Sequence, residues 1–306
     1  MPRVPTPRVE VKQQLSDTDL RAVASLLEAV GQEGGHRFVD APGSARCVLA
    51  WAPEHSDPVG FAQVSREGSR WTLSLVVDPR SPAARPAWSS LMPAGVELVG
   101  REGGGPVRMW VHEATPDLDA MAGAAGLEVE RDLYQMRRRL PAEGSSTLPT
   151  RPFVVGRDET PWLDVNNRAF VGHPDQGGWT PEQFRRLEAE PWFEPEGFLL
   201  HEREGRLAGF CWTKVHEQVE PALGELFVVA VDPDFQGLGL GRQLVLAGLE
   251  WLSRRRSGGK NLEWAILYVD ASNRAALGLY RSMGFEVHHG DRAYVGVVPP
   301  ISIPRR

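Results

Sequence analysis

Apolar positions along the second half of the chain follow two rhythms, and each change of rhythm marks an element. Gly197 to His201 and Leu207 to Val215 are short apolar runs split by Arg203-Glu204-Gly205, a glycine-bearing turn of hairpin length, so two antiparallel strands are expected. Leu226 to Val231 is continuously apolar, as a strand covered on both faces would be, and it stops at Asp232-Pro233. Leu240, Leu244, Val245, Leu249 and Leu252 then recur at helical spacing towards a basic end at Arg254 to Arg256, which complements the helix dipole. A strand over Leu262 to Val269, a helix from Asn273 to Met283 stopped by Gly284, and a strand over Phe285 to Val297 turning at Gly290 complete the series. Upstream, Thr180-Pro181 with Gln183 three residues on is a helix start: threonine caps, proline has no N–H to lose, and glutamine closes a capping box.

The first half repeats these landmarks faintly. Gly60-Phe61 recurs as Gly209-Phe210, Asp78-Pro79 as Asp232-Pro233, and Gly126-Leu127-Glu128-Val129 as Gly284-Phe285-Glu286-Val287, with offsets of 149, 154 and 158 residues in one order. Between Leu140 and Arg151 the composition shifts to Pro, Ser, Gly and Thr, which neither packs nor holds a helix. A duplicated α/β fold is expected: a domain over 1–140, a linker over 141–151 and a second domain over 152–306, each a mixed, mostly antiparallel sheet flanked by helices.

Composition narrows the function classes. A length of 306 residues suits two domains, and 42% hydrophobic with 24% charged residues is ordinary for a soluble globular chain. The net charge of −6 argues against a nucleic-acid binder, which needs a basic face. Arg137 to Arg139 and Arg254 to Arg256 read as solvated element ends, a coenzyme-phosphate contact being the alternative. Cys47 and Cys211 are too few for a disulfide framework or a zinc cluster, no metal is expected, and Cys211 in its apolar run reads as a packed thiol. No secretory signal opens the chain and no apolar run approaches the ~20 residues of a membrane helix, so a cytoplasmic protein without membrane partners, and a monomer, is expected.

The chemistry concentrates at Gln236-Gly237-Leu238-Gly239-Leu240-Gly241-Arg242, between the buried strand and its helix. Glycines there let the backbone approach a ligand, and N–H groups at a helix start point at an anion such as a diphosphate. The loop lacks the Lys-Ser/Thr of a P-loop and the spacing of a dinucleotide fold. It resembles the acyl-CoA loop of the GNAT superfamily, and a second signature supports this: Tyr268 to Ala276 leading into a helix that closes with Leu279-Tyr280-Arg281-Ser282-Met283-Gly284-Phe285.

That resemblance implies acetyl-CoA as cosubstrate. It implies contacts from Val229, Ala230 and Val231, from Gln236, Gly237, Leu238, Gly239, Leu240, Gly241 and Arg242, and from Asn273, Arg274, Ala275, Ala276, Leu277 and Gly278. In the superfamily the Asn meets the pantetheine arm and the Tyr faces the sulfur. Val165 to Phe170, Gly172 to Thr180, Trp212-Thr213-Lys214-Val215-His216 and Gly224-Glu225 resemble, more narrowly, the mycothiol synthase family, which acetylates the cysteinyl amine of Cys-GlcN-Ins. This implies Glu225 as the base, Tyr280 as the acid for the departing thiolate, main-chain N–H groups near Val229 for the carbonyl, and Asp175, Lys214, Glu225 and Tyr268 facing the acceptor. The demand on the base is modest, because an α-amine with a pKa of about 7.7 to 8.0 is unmasked near pH 7 for roughly 1 kcal/mol. Trp179 and Trp212 read as core, with stacking on sugar rings as the alternative.

The first half fails the same tests. Counting back from Asp78, Trp71 takes the place of Glu225; prolines follow Asp78 where glycines follow Asp232; and Ala122 takes the place of Tyr280. It is expected to be a catalytically inactive repeat. Two other readings of the whole chain stand beside the leading one: an acetyltransferase for another amine, and an acyl-CoA-binding sensor without turnover.

Overall fold

One strand order is used twice. The computed structural model describes residues 6–30, 46–53, 57–173 and 176–301. Its first elements are β1 (Arg8–Lys12), α1 (Asp17–Ala29), β2 (Arg46–Trp51), β3 (Pro58–Glu67), β4 (Arg70–Val77), α2 (Ala84–Arg101), β5 (Gly105–His112), α3 (Pro116–Ala124) and β6 (Glu128–Arg139). There follow β7 (Arg151–Pro152), α4 (Glu159–Ala169), α5 (Pro181–Glu188), β8 (Phe198–Arg203), β9 (Arg206–His216), β10 (Leu223–Val231) and α6 (Leu240–Ser253). A small hairpin of β11 (Arg256–Ser257) and β12 (Lys260–Asn261) leads to β13 (Trp264–Asp270), α7 (Arg274–Ser282) and β14 (Glu286–Val298).

The chain divides into two compact units, one of Met1–Tyr134, Asp270–Ser272 and His289–Arg306, the other of Gln135–Val269 and Asn273–His288. In the first, β1 to β4 pair antiparallel in sequence order, β4 pairs parallel with β5, and β5 takes the C-terminal part of β14 as its outer neighbour. In the second, β7 to β10 pair antiparallel in order and β10 pairs parallel with β13, beside which the end of β6 is placed. Each unit is a mixed, mostly antiparallel sheet with flanking helices, and each is completed by a strand from the other half of the sequence. In the first unit, Asp291 of β14 faces His112 of β5 in register; His112 Nδ1 lies 2.7 Å from Asp291 Oδ1, and His289 joins them in a group whose ligand atoms lie within 4.8 Å of one another.

The sequence repeats fall at equivalent places. Gly60 opposes Val77, the last residue of β4, and Gly209 opposes Val231, the last residue of β10. A Cβ on Gly60 would stand 2.5 Å from Leu91 Cδ1 of α2, and one on Gly209 2.8 Å from Leu244 Cδ1 of α6, so each glycine admits the leucine of the helix crossing its sheet. Gly126 and Gly284, at φ 76° and 78°, follow the caps of α3 and α7. The six-residue closing bonds, Leu127 N–H to Ala122 O and Phe285 N–H to Tyr280 O, are those of a Schellman motif in both.

Two expectations change. Gly290 makes no turn, since β14 runs through it: Glu113 N–H donates to its carbonyl, and the Tyr134 ring lies 3.2 Å from where its Cβ would be. The missing side chain makes room for a ring. Helix α6 ends at Ser253, with Arg254 as its C-cap, so the arginine run lies beyond its last turn. Those arginines hold protein groups: Arg254 pairs with Glu250, Arg255 with Glu194, Arg137 and Arg139 lie over Trp264, and Arg138 donates to the Met283 carbonyl.

The second unit's core, on the sheet face away from α6, is aromatic. Trp162, Phe184, Phe198, Phe210 and Trp212 are fully buried, with Phe198 and Trp212 stacked at 4.5 Å. Each such ring contributes about 2–3 kcal/mol of burial, and Trp212 is thus committed to packing. Trp179 is half-buried against Trp162.

Two measurements test this packing. Gly209→Ala sets a methyl 2.8 Å from the Ala230 carbonyl oxygen, a backbone atom that cannot swing away, and should destabilise by about 1–3 kcal/mol in denaturant unfolding. Burial pushes the Cys47 thiol up to about 11 and the Cys211 thiol up to about 12, so at pH 8 an aromatic disulfide reagent should label neither in the native protein and both after unfolding. A thiol that reacts quickly in the native state would contradict the packing.

Candidate active site

The site is laid out by the register of β9, β10 and β13. Glu225 pairs with Lys214 of β9 on one side and with Ile266 of β13 on the other. Side chains two apart share a face of a strand. His216, two residues beyond Lys214, and Tyr268, two beyond Ile266, are therefore on the same face as Glu225. Helix α6 covers the other face, where a Cβ on Gly224 would meet Leu252 at 2.8 Å and Cys211, Thr213 and Leu226 surround Gly248.

Two irregularities meet at Glu225. The parallel register with β13 spans only Leu223–Glu225 against Trp264–Ile266, whereas β10 runs on to Val231. Against β9, the register shifts between Leu226 and Val228, so Phe227 is an extra residue, a β-bulge. Val229, Ala230 and Val231 lie beyond it, outside the parallel register with β13, where their main-chain groups can meet a ligand.

The bulge corrects the comparison of the halves. In the first unit β3 and β4 pair without interruption from Gly60↔Val77 to Glu67↔Arg70. Ser65 is five residues past Gly60 as Lys214 is past Gly209, and its partner is Thr72, so Thr72 and not Trp71 occupies the place of Glu225. Counting residues missed this because β10 spends one on its bulge. Trp71 is buried, its indole donating to the Gly104 carbonyl at 2.9 Å. The match of Tyr280 with Ala122 stands on the shared helix cap.

Glu225 is 2% exposed and His216 wholly buried, with His216 Nε2 2.7 Å from Glu225 Oε2. Burying a carboxylate costs several kcal/mol unless it is bonded, and the imidazole supplies a bond. The Lys214 ammonium lies 4.3 Å from the Trp192 ring centre and 5.8 Å from that of Phe227, a cation held over aromatic faces. The Tyr268 hydroxyl accepts from Gln135 Nε2 at 2.8 Å; Gln135 is buried and its Oε1 has no hydrogen-bond partner among the described residues. His216 and Gln135 were not singled out from sequence. The two-residue step from Lys214 pointed to His216, whereas nothing local to Gln135 pointed to Tyr268.

Asp175 lies outside the described residues. Its flanks are fastened to α4: Asn166 donates to the Gln176 carbonyl at 2.9 Å, and Asn167 both donates to the Trp179 carbonyl at 2.9 Å and accepts from the Trp179 N–H at 2.8 Å. Arg168 pairs with Asp232, which is wholly buried at the exit of β10. The distinctive asparagines and arginine thus hold the local architecture together.

The glycine loop follows at once. Gly237 and Gly239 take φ of 79° and 75°, conformations that favour glycine, and open space lies where either would carry a Cβ. Gly239 is the N-cap of α6 and has no side chain with which to cap it, so the N-cap position leaves the first N–H groups, at Leu240, Gly241 and Arg242, without a side-chain acceptor just after an exposed loop. The arrangement fits a diphosphate held by main-chain amides at a helix start. Gln236 reaches back to the Val231 carbonyl at 3.4 Å, and Arg242 donates to Ser282 Oγ at 3.0 Å, tying the start of α6 to α7. Asn273 is the N-cap of α7, its side chain accepting from Ala276 N–H at 3.0 Å, with Arg274 to Gly278 the first turns; only Leu277 of these is buried. The Tyr280 ring meets Phe285 edge-on at 5.8 Å, and desolvation pushes its hydroxyl up to about 12.

Residues 161–285, which hold this site, match the model of the acetyltransferase (GNAT) family. A mycothiol acetyltransferase from Thermobispora bispora is 40% identical over 298 residues, covering 92% of this chain and 96% of the relative, and one from Mycobacterium avium is 38% identical over 92% and 91%. Among solved structures, a GCN5-related N-acetyltransferase from Sphaerobacter thermophilus aligns over 96% of this chain and 98% of its own with a TM-score of 0.71 at 21% identity. A tandem GNAT protein from the clavulanic acid biosynthesis pathway aligns over 96% and 100% with a TM-score of 0.62 at 16% identity. The structural matches support the doubled fold, and identities of 38–40% in alignments that cover 92% of the chain place it in the mycothiol acetyltransferase family, enzymes of the GNAT superfamily that use acetyl-CoA.

Proposed function

We propose that this acetyltransferase moves the acetyl group of acetyl-CoA to the cysteinyl amine of Cys-GlcN-Ins, the step that completes mycothiol. The observation that carries this reading is the position of Glu225, buried where the parallel register ends, on one sheet face with Lys214 and Tyr268. Glu225 takes the proton of the acceptor's ammonium, directly or through water. The freed amine attacks the acetyl carbon, whose oxygen becomes an oxyanion near the Val229 main chain, and the C–S bond breaks as the nitrogen sheds its second proton, through water, to replace the one that Tyr280 gives up, leaving the amide. Tyr280 offers its hydroxyl proton to the departing sulfur. With its pKa raised to about 12 by burial, the phenol is protonated below that pH and meets the thiolate as an O–H donor. Lys214, Tyr268 and Asp175 serve the hydroxyls and charge of the acceptor, while the loop over 236–242 and the first turns of α7 hold the coenzyme. No acetyl-cysteine is needed, and Cys211, packed under Gly248, is not placed to form one.

The catalytic domain in this reading spans 152–306, and the N-terminal domain is silent in catalysis. In its loop, Arg80 folds onto Asp78 and Ser81 accepts from the Ala83 and Ala84 amides, so the main chain that would meet a diphosphate bonds to itself. No helix among the described residues is long and apolar enough to cross a membrane, and the two cysteines are buried and unlinked, which suits a reducing cytoplasm.

The test is formation of N-acetylated product from acetyl-CoA and Cys-GlcN-Ins, read by chromatography because the acceptor carries its own thiol, beside an aminoglycoside and a peptide N-terminus. Product from another amine alone would reassign the acceptor, and coenzyme binding with no product from any amine would favour a sensor. Glu225→Gln should lower kcat roughly 100- to 10,000-fold with KM for acetyl-CoA changed less than about twofold. Tyr280→Phe should lower kcat roughly 100-fold at every pH up to 10, because the wild-type phenol loses its proton only near 12. A basic limb below pH 10 that disappears in Tyr280→Phe would contradict the raised pKa, and an unchanged kcat in that variant would contradict the role as proton donor.

A further inference from the structure

We propose that His216 is a positioning residue for Glu225: its Nε2–H donates to Glu225 Oε2 and holds the carboxylate so that its other oxygen receives the acceptor's proton. This rests on the reading of Glu225 as the base. An ionised carboxylate has no hydrogen to share, so at the 2.7 Å separation the hydrogen belongs to the imidazole nitrogen. Both side chains are almost wholly excluded from solvent, and a carboxylate in that setting takes its orientation from its bonds. The register makes the contact a property of the sheet: His216 opposes Leu223, two residues before Glu225, so the imidazole reaches the carboxylate diagonally across β9 and β10.

The groups facing Glu225 can be named element by element. From β9 they are Lys214, directly opposite and held over Trp192 and Phe227, and His216; from β13, Tyr268 is two residues beyond the partner Ile266. Helix α6 packs on the opposite face and presents Leu252 at Gly224. Helix α4 also packs against β10, and its cation Arg168 is engaged with Asp232 beyond the strand's far end. A donor on the charged form of a carboxylate favours that form. Removing the imidazole therefore moves the loss of activity at low pH to a higher pH, an effect that a purely packing role does not produce.

The experiment compares kcat and KM against pH for the wild-type chain, His216→Ala, His216→Gln and Glu225→Gln, with acetyl-CoA and Cys-GlcN-Ins. His216→Ala should lower kcat roughly 10- to 100-fold, leave KM for acetyl-CoA within about twofold and raise the acidic limb by roughly 1 pH unit. His216→Gln, whose amide nitrogen can donate from a similar place, should return the limb towards the wild-type position. An unmoved acidic limb in His216→Ala, or equal profiles for the alanine and glutamine variants, with Glu225→Gln inactive, overturns the positioning role while leaving the base in place. Full turnover in Glu225→Gln overturns both.

Discussion

A strand with one residue more than its neighbour can match has to buckle, and in the second unit that residue is Phe227. Up to Leu226 the partners follow simple alternation, so Glu225 shares the face of Lys214 and His216. After the bulge the alternation resumes one step out of phase, so Val228 and Ala230, and not Val229, join the aromatic core on that same face. One extra residue thus lets β10 direct a carboxylate and its main packing residues to the same side. It also precedes the stretch of β10 that lies beyond the parallel register with β13. The face that Glu225 takes relative to Val228 and Ala230, and the phase of the main chain near Val229, both follow from that step.

Burial of Glu225 brings a penalty that the surrounding residues offset. A carboxylate 2% exposed loses most of its hydration, and the His216 contact restores one strong bond. The start of α6 shows the same logic in the backbone. Helices α1, α3 and α5 each begin with a serine or threonine whose hydroxyl accepts an orphan N–H, whereas α6 begins with Gly239 and leaves its first amides to whatever occupies the loop. A helix that forgoes its own cap keeps those donors available for an anion.

What was legible in the sequence was local. The hairpin turn at Glu204-Gly205, the Thr180 capping box, the glycine cap after Met283 and the glycine turn that opens α6 are each written within a few consecutive residues, and each is found where those residues predict it. What was not legible depends on distance or on count. Gln135 meets Tyr268 across 133 residues, and a bulge adds one residue without changing composition, which is why Trp71 was paired with Glu225 in place of Thr72. Gly290 misled for a physical reason: glycine marks both turns and close contacts, and here it accommodates the Tyr134 ring.

The doubled fold separates what a GNAT sheet needs to pack from what it needs to react. Both units keep a glycine beneath a helix leucine, Gly60 under Leu91 and Gly209 under Leu244, and both close a helix with the same glycine cap. These features concern volume and backbone conformation, and they hold whether or not a ligand binds. The bulge, the carboxylate at the end of the parallel register, the hydroxyl at the first residue of the Schellman motif and the open loop occur together in the second unit, and the first has a regular ladder, Thr72, Ala122 and a loop bonded to itself in their places. No single substitution would convert one set into the other, because moving a carboxylate to residue 72 leaves the strand without the extra residue that opens its main chain. In this chain the placing of those groups depends on strand register before it depends on any one side chain.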